Sequence, residues 1–102
     1  LTHTAGMPTR PPDGLAAAAA RPDFTLAAAV SAYAQRPLEF EPGTGWMYSN
    51  TGLDTLGRLV EVVSGRPFAT FLAERIFRPL GMRDTAFFVP PAKQKRLVAG
   101  YR

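Results

Sequence analysis

Residues 48–65 read Tyr-Ser-Asn-Thr-Gly-Leu-Asp-Thr-Leu-Gly-Arg-Leu-Val-Glu-Val-Val-Ser-Gly and carry the clearest structural pattern in the chain. Their large apolar residues recur at steps of three and four, the spacing of one helix face: Leu53, Leu56, Leu59, Val60 and Val63. Asn50 or Thr51 is placed to cap the N-terminus, and Gly65 stands where a left-handed residue commonly ends a helix. The stretch therefore predicts an amphipathic helix that follows directly after Tyr48.

Upstream of this helix, the sequence predicts a second helix over residues 24–35, with Asp23 as its N-cap. The alanine run at residues 16–20 favours a helix by propensity. Because Arg21-Pro22 interrupts the run and short helices are marginal in water, we expect a loosely structured insert there. Residues 1–14 are rich in Thr, Pro and Gly and are expected to form a loop.

Short extended segments lie between the helices. Apolar and acidic residues alternate over residues 38–41. Over residues 46–49, Trp46 and Tyr48 alternate with Met47 and Ser49. Both patterns predict extended backbone. The intervening residues 42–45 are Pro-Gly-Thr-Gly, a strong turn signal. Residues 85–89 predict a short strand, and Pro67 suits the first position of a further helix. The chain is thus expected to be mostly helical with one or two short strands.

Composition excludes several kinds of site. Leu, Ile, Val and Phe make up 24 of the 102 residues, enough for a globular core of one domain at most. The absence of cysteine excludes disulfides, thiolate metal sites and a cysteine nucleophile. His3 is the single histidine, so these residues alone cannot build a multi-histidine metal site. No apolar run approaches the length of a membrane span.

The charge pattern does not favour a nucleic-acid partner. The net charge is +4, but the basic residues are spread along the chain and interleaved with acids. Only Lys93, Lys95 and Arg96 form a cluster, and no aromatic stacking platform accompanies it, so we expect a solvated basic surface there. Ten arginines against two lysines suggest a GC-rich coding sequence and favour a bacterial origin. The compartment stays open between periplasmic or secreted and cytoplasmic.

Four motifs follow one another along the chain. They are Leu-Thr-His-Thr-Ala-Gly-Met at 1–7, Pro-Gly-Thr at 42–44 with Tyr-Ser-Asn-Thr-Gly at 48–52, Leu-Gly at 56–57 with Glu-Val-Val-Ser-Gly at 61–65, and Pro-Leu-Gly-Met at 79–82 with Asp-Thr at 84–85. Together they resemble the β-lactamase-related serine hydrolases, which include class C β-lactamases, D-alanyl-D-alanine peptidases and esterases. The resemblance implies an α+β parent fold of which residues 1–102 are part of one domain.

The resemblance also implies a chemistry for Tyr48 and Asn50. In the family, a Ser-x-x-Lys motif supplies the nucleophile, and a Tyr-x-Asn element supplies a proton-transfer group and an amide. By position, Tyr48 would be the general acid/base and Asn50 the anchor for the lysine and the substrate. Residues two apart on an extended backbone project to the same face, so both side chains can enter one cleft. The implied substrate is a β-lactam, a D-amino-acid peptide or an ester, and no cofactor is implied.

Two family motifs are absent from these 102 residues: the Ser-x-x-Lys of the nucleophile, and the Lys-Thr-Gly or His-x-Gly strand that contacts the oxyanion and the substrate. No serine is followed three residues later by lysine, and neither Lys-Thr-Gly nor His-x-Gly occurs. The chain also begins with Leu1, so we expect a segment of a longer protein that is inactive by itself. Without the resemblance, Tyr48 would be interpreted as a tyrosine at the edge of the core and Asn50 as a helix cap. The alternative function is a non-catalytic helical interaction module that kept the fold.

Other polar and aromatic residues have simpler interpretations. Ser49 is expected to be a spacer, because the Gly-x-Ser-x-Gly elbow of other serine hydrolases is missing. His3 is expected to be a structural loop residue tied to Thr2 or Thr4. Glu39 and Glu41 are expected at the surface, and Trp46 in the core or in the wall of a cleft.

Overall fold

The computed structural model describes residues 2–21 and 23–98. Contacts divide the chain into two compact units, residues 1–66 and 67–102. Across the described ranges, no helix combines the length and the apolar character that a membrane span requires. The expectation that residues 1–102 belong to one partial domain stays a prediction.

The first unit contains three helices: α1 (Leu15–Ala19), α2 (Leu26–Tyr33) and α3 (Asn50–Ser64). Helices α2 and α3 pack against each other, and Ala29 and Tyr33 of α2 are its buried apolar side chains. The Tyr33 hydroxyl donates a 2.6 Å hydrogen bond to Oδ2 of Asp54 on α3. This polar bond therefore joins the two helices at their apolar contact.

The predicted amphipathic helix is present as α3, with a different N-cap. Ser49 has extended backbone angles, and its Oγ accepts a 3.0 Å hydrogen bond from the N–H of Gly52. Asn50 and Thr51 lie inside the helix, so their prediction as caps was wrong. At the other end Gly65 has a φ of 66° and its N–H donates to the carbonyl of Glu61, as predicted.

Much of the predicted apolar face of α3 is exposed to solvent within the described part of the chain. Leu53 is 41% exposed, Leu59 is 56% exposed and Val63 is 80% exposed. The buried residues of α3 are instead small, Thr51 and Gly57. Small residues allow close approach of the backbone, so the start and the middle of α3 are the parts that pack within this unit.

The second predicted helix begins later than expected. Helix α2 starts at Leu26, and the Oγ1 of Thr25 accepts a 3.2 Å hydrogen bond from the N–H of Ala28. Asp23 is therefore not the N-cap. Its carboxylate instead accepts two hydrogen bonds from the Arg21 guanidinium, at 3.0 and 3.1 Å, on an exposed surface.

The alanine run is helical over a single short segment, which corrects the expectation of a loosely structured insert. Helix α1 covers Leu15–Ala19 and follows Gly14, which has a φ of 81°. The N–H of Ala18 donates to the carbonyl of Gly14 at 3.1 Å. No side chain caps this helix, so its alanine content is the main local feature that favours it.

Loop pairing takes the place of the predicted strands. Three backbone N–H groups of residues 39–47 donate to carbonyls of residues 3–6: Glu39 to Gly6 (2.8 Å), Gly43 to Thr4 (2.8 Å) and Met47 to His3 (3.0 Å). Bonds spaced four residues apart do not make a ladder. Residues 2–21 and 23–98 contain no strand, so the strand predicted over residues 85–89, and the one or two short strands expected for the chain, are not confirmed.

The second unit begins with a helix that changes its winding. Helix α4 covers Phe68–Leu72 after Pro67, which is the N-cap and not the first helical residue as predicted. A π-helix over Ala73–Phe77 continues α4, and the N–H of Arg78 donates to the carbonyl five residues earlier, that of Ala73 (3.0 Å). A turn at the Pro-Leu-Gly-Met motif of residues 79–82 follows, with a φ of 66° at Gly81.

Two residues of the basic cluster, Lys93 and Arg96, pair with one carboxylate in the second unit. A 3₁₀-helix over Pro91–Arg96 directs Arg96 to both oxygens of Asp84, at 2.8 and 3.0 Å. Lys93 donates to the same carboxylate at 2.9 Å. The hydrogen bonds from Arg96 and Lys93 hold the pKa of Asp84 well below its usual range. All three side chains are exposed enough that we expect these ion pairs to contribute little to stability.

We predict that Gly6→Ala destabilises the chain far more than Gly43→Ala. Both glycines have left-handed backbone, with φ of 73° and 86°. A Cβ at Gly6 would lie 2.1 Å from the carbonyl oxygen of Phe40, whereas one at Gly43 would meet nothing within 4 Å. Urea unfolding should show a loss of about 1 kcal/mol for Gly43→Ala and ~3 kcal/mol or more for Gly6→Ala. Equal losses would contradict the role given to the contact between Gly6 and Phe40.

We predict that the Tyr33 phenol links stability to alkaline pH. Burial, and then the hydrogen bond to Asp54, raise the pKa of Tyr33 to about 12. A raised pKa favours the neutral phenol in the folded state, so its contribution is complete below about pH 10 and is lost as the pH rises through 12. Between about pH 9 and 12, the free energy of unfolding should fall more for the wild type than for Tyr33→Phe. Parallel curves for the two proteins would exclude the linkage.

Candidate active site

The extended segment of residues 46–49 leads directly into α3 and brings Tyr48 and Asn50 together. The Tyr48 hydroxyl donates a 2.9 Å hydrogen bond to Oδ1 of Asn50. Tyr48 is 47% exposed, and Asn50 is exposed as well. The two predicted site residues therefore present a phenol and an amide at one accessible position, at the point where extended backbone becomes helix.

Ser49 lies between them but faces the interior. It is 4% exposed, and its Oγ donates to the carbonyl of Pro8 at 3.1 Å while accepting from Gly52. Thr51, 2% exposed, donates from its Oγ1 to the same carbonyl at 2.6 Å and lies 3.0 Å from the Ser49 hydroxyl. A buried hydroxyl with these partners is not placed to attack a substrate.

The peptide unit between Tyr48 and Ser49 is held at both of its polar atoms. The Thr9 hydroxyl donates to the carbonyl oxygen of Tyr48 at 2.7 Å. The N–H of Ser49 donates to Nδ1 of His3 at 3.1 Å. Two residues of the N-terminal loop thus fix the backbone that carries the candidate site.

His3 takes a different partner from the one predicted. Thr2 and Thr4 share a 2.9 Å hydrogen bond with each other, and the His3 imidazole bonds to Ser49. The imidazole centroid lies 4.7 Å from that of the Tyr48 ring and 6.1 Å from the ring of Trp46. Trp46 is 68% exposed and forms the outer edge of this aromatic group, not part of the core.

Sequence reasoning missed His3 and Ser49 as site residues. Ser49 could have been found, because serine is among the strongest N-cap residues and it directly precedes the helical pattern. For His3 there was no local signal, since its partner lies 46 positions away along the chain.

Other candidates lie outside the site, as expected. Glu39 and Glu41 are exposed, and Glu39 lies 4.0 Å from the Arg36 guanidinium. Among the residues that the structure describes, no cluster of histidine and carboxylate side chains is arranged to hold a metal ion.

A cavity of about 500 Å³ lies between the N-terminal loop and the start of α3. Met7, Met47, Leu53 and Leu56 contribute to its mainly apolar lining, to which neither Tyr48 nor Asn50 belongs. The candidate catalytic side chains therefore do not line this cavity.

Known proteins resemble this chain over about half to all of its length. A sequence model of the beta-lactamase family matches residues 1–102. A lovastatin esterase of Penicillium rubens is 54% identical over 52 residues, which cover 51% of this chain and 13% of the esterase. The D-alanyl-D-alanine-carboxypeptidase/endopeptidase AmpH of Escherichia coli K12 is 34% identical over 104 residues, covering 99% of this chain and 26% of the peptidase.

A solved structure shows a similar fold. The D-amino acid amidase of Ochrobactrum anthropi SV3, in complex with D-phenylalanine, matches with a TM-score of 0.72 and 30% identity. The match covers 99% of this chain and 33% of the amidase, so the chain spans about a third or less of the relatives that it matches. The family match over residues 1–102 and the shared fold lead to one conclusion: the chain belongs to the beta-lactamase family.

Proposed function

We propose that this chain supplies the proton-transfer element of a serine hydrolase that works through an acyl-enzyme. Tyr48 is its general acid/base and Asn50 its polar anchor. The observation that carries the proposal is the 2.9 Å hydrogen bond from the exposed Tyr48 phenol to the Asn50 amide. Membership of the beta-lactamase family, and relatives named as an esterase, a peptidase and an amidase, support the same reaction class.

The nucleophile and its lysine come from outside these 102 residues in this proposal. The three serines of the chain, Ser31, Ser49 and Ser64, lack a lysine three positions later. A serine hydroxyl is a poor nucleophile until a positioned base takes its proton. A lysine cation beside a phenol favours the ionised form, which can then act as that base. The α+β parent fold, in which residues 85–89 could join a sheet, is part of the same proposal.

Asn50 contributes in two ways. Its Oδ1 accepts the Tyr48 hydroxyl, which holds the phenol over the start of α3. The same oxygen is a suitable acceptor for a lysine ammonium, and the amide N–H groups can donate to a substrate carbonyl. The proposed substrate is a β-lactam, a D-amino-acid peptide or an ester. Its acyl group is transferred to the serine nucleophile to form the acyl-enzyme.

In the protein that carries this chain, Tyr48→Phe should lower kcat for a p-nitrophenyl ester by about 10²-fold or more. The phenol oxygen is the only atom removed, so substrate binding should change little. Tyr33→Phe removes the same atom from a buried position on α2 and is the matched control, with kcat within about twofold of the wild type. Retention of wild-type kcat by Tyr48→Phe would contradict the assignment of Tyr48. No turnover by the wild-type protein itself would favour the non-catalytic interaction module.

The 102-residue chain alone should show no turnover, because it lacks the serine and lysine that the acyl-enzyme needs. The measurement is release of chromophore from a chromogenic cephalosporin and from a p-nitrophenyl ester, compared with Tyr48→Phe of the same chain. Turnover that disappears on Tyr48→Phe would show that the chain is catalytically complete. The proposal that the nucleophile and its lysine lie outside these residues would then be wrong.

A further inference from the structure

We propose that His3 is a positioning residue for Tyr48. The inference rests on the proposed function, since the orientation of Tyr48 affects catalysis only if its phenol transfers a proton. His3 is 45 positions away from Tyr48 in sequence, yet it meets both the ring of Tyr48 and the peptide that follows it.

The first contact acts on the backbone. Nδ1 of His3 accepts the Ser49 N–H at 3.1 Å, while the Thr9 hydroxyl donates to the Tyr48 carbonyl at 2.7 Å. The Tyr48 carbonyl and the Ser49 N–H belong to the same peptide unit. Because the peptide unit is planar, hydrogen bonds at both of its polar atoms resist its rotation and so help to set the direction of the Tyr48 Cα–Cβ bond.

The second contact acts on the ring. The centroids of the His3 and Tyr48 rings lie 4.7 Å apart with an interplanar angle of 38°. The imidazole therefore covers part of one face of the phenol ring, and the hydroxyl points to Asn50 at 2.9 Å. Tyr48 is held at its peptide, its ring and its hydroxyl, although almost half of its surface is exposed.

The backbone of His3 has an unusual conformation that its contacts hold in place. Its φ of 60° makes it the sole non-glycine residue with positive φ in the described ranges. Such a conformation is uncommon for a non-glycine residue and persists when surrounding contacts hold it. The Met47 N–H, which donates to the His3 carbonyl at 3.0 Å, is one of these contacts. The strained residue thus directs its ring towards Tyr48.

Two variants separate the hydrogen bond from the backbone strain. His3→Gly adopts the left-handed conformation without strain and removes both side-chain contacts. His3→Asn tolerates the same conformation and places an acceptor oxygen where Nδ1 now lies. Thr2→Ala, in the same loop, removes a hydroxyl that bonds to Thr4 and is the matched control.

The experiment measures kcat and KM of the protein that carries this chain with a p-nitrophenyl ester. The kcat is expressed per active site counted from the acylation burst, so that unfolded molecules do not contribute. His3→Gly should lower kcat about tenfold to a hundredfold, with KM within about twofold. His3→Asn should recover at least half of that loss on a logarithmic scale, and Thr2→Ala should match the wild type.

Failure of the inference about His3 can be distinguished from failure of the proposed function. Wild-type kcat in His3→Gly, together with an inactive Tyr48→Phe, overturns the inference and leaves the proposed function standing. Equal losses in His3→Gly and His3→Asn exclude the acceptor and leave the ring contact as the means of positioning, and an unmoved Tyr48 ring in a crystal structure of His3→Gly then overturns the inference. An active Tyr48→Phe overturns the proposed function. In that case crystal structures of the same proteins still decide on His3, because an unmoved Tyr48 ring in His3→Gly would refute positioning by itself.

Discussion

The hydrogen bonds of Ser49 connect the N-terminal loop to the start of α3. Its N–H reaches His3, and its hydroxyl both donates to the Pro8 carbonyl and caps the helix through Gly52. Each bond satisfies a polar group that would be costly to bury alone, and the residue is 4% exposed. One buried residue therefore sets where extended backbone ends, where the helix begins and which loop lies against both.

The positions of Tyr48 and Asn50 follow from this constraint. Because Ser49 faces inward, its neighbours on either side face outward, and their side chains meet at 2.9 Å. The same constraint excludes Ser49 as a nucleophile, since its hydroxyl is buried among bonding partners. Ser49, between the two candidate site residues, was expected to be a spacer, but its hydrogen bonds hold the backbone that carries them.

Sequence patterns predicted the helices better than their ends. The apolar spacing located α3, and Gly65 located its C-terminus, because both features are local. The N-caps were misplaced because Ser49, Asn50 and Thr51 all suit the role by chemistry. Only the buried carbonyl of Pro8 and the nearby His3 select Ser49, and both are distant in sequence. The strand predicted over residues 85–89 is not confirmed, since strand pairing needs a partner that the pattern of one segment does not specify. The pairing of Tyr48 with Asn50 was expected from their spacing, whereas the contacts of His3 had no sequence signal.

The most direct test of the account is the location of a covalent adduct. The protein that carries this chain would be incubated with a slowly hydrolysed β-lactam or ester, digested, and analysed by mass spectrometry. The account predicts an acyl group on a serine outside residues 1–102, formed more slowly in Tyr48→Phe. An adduct on Ser49, whose hydroxyl is buried against Pro8 and Gly52, or no adduct with any of these acyl donors, would contradict it.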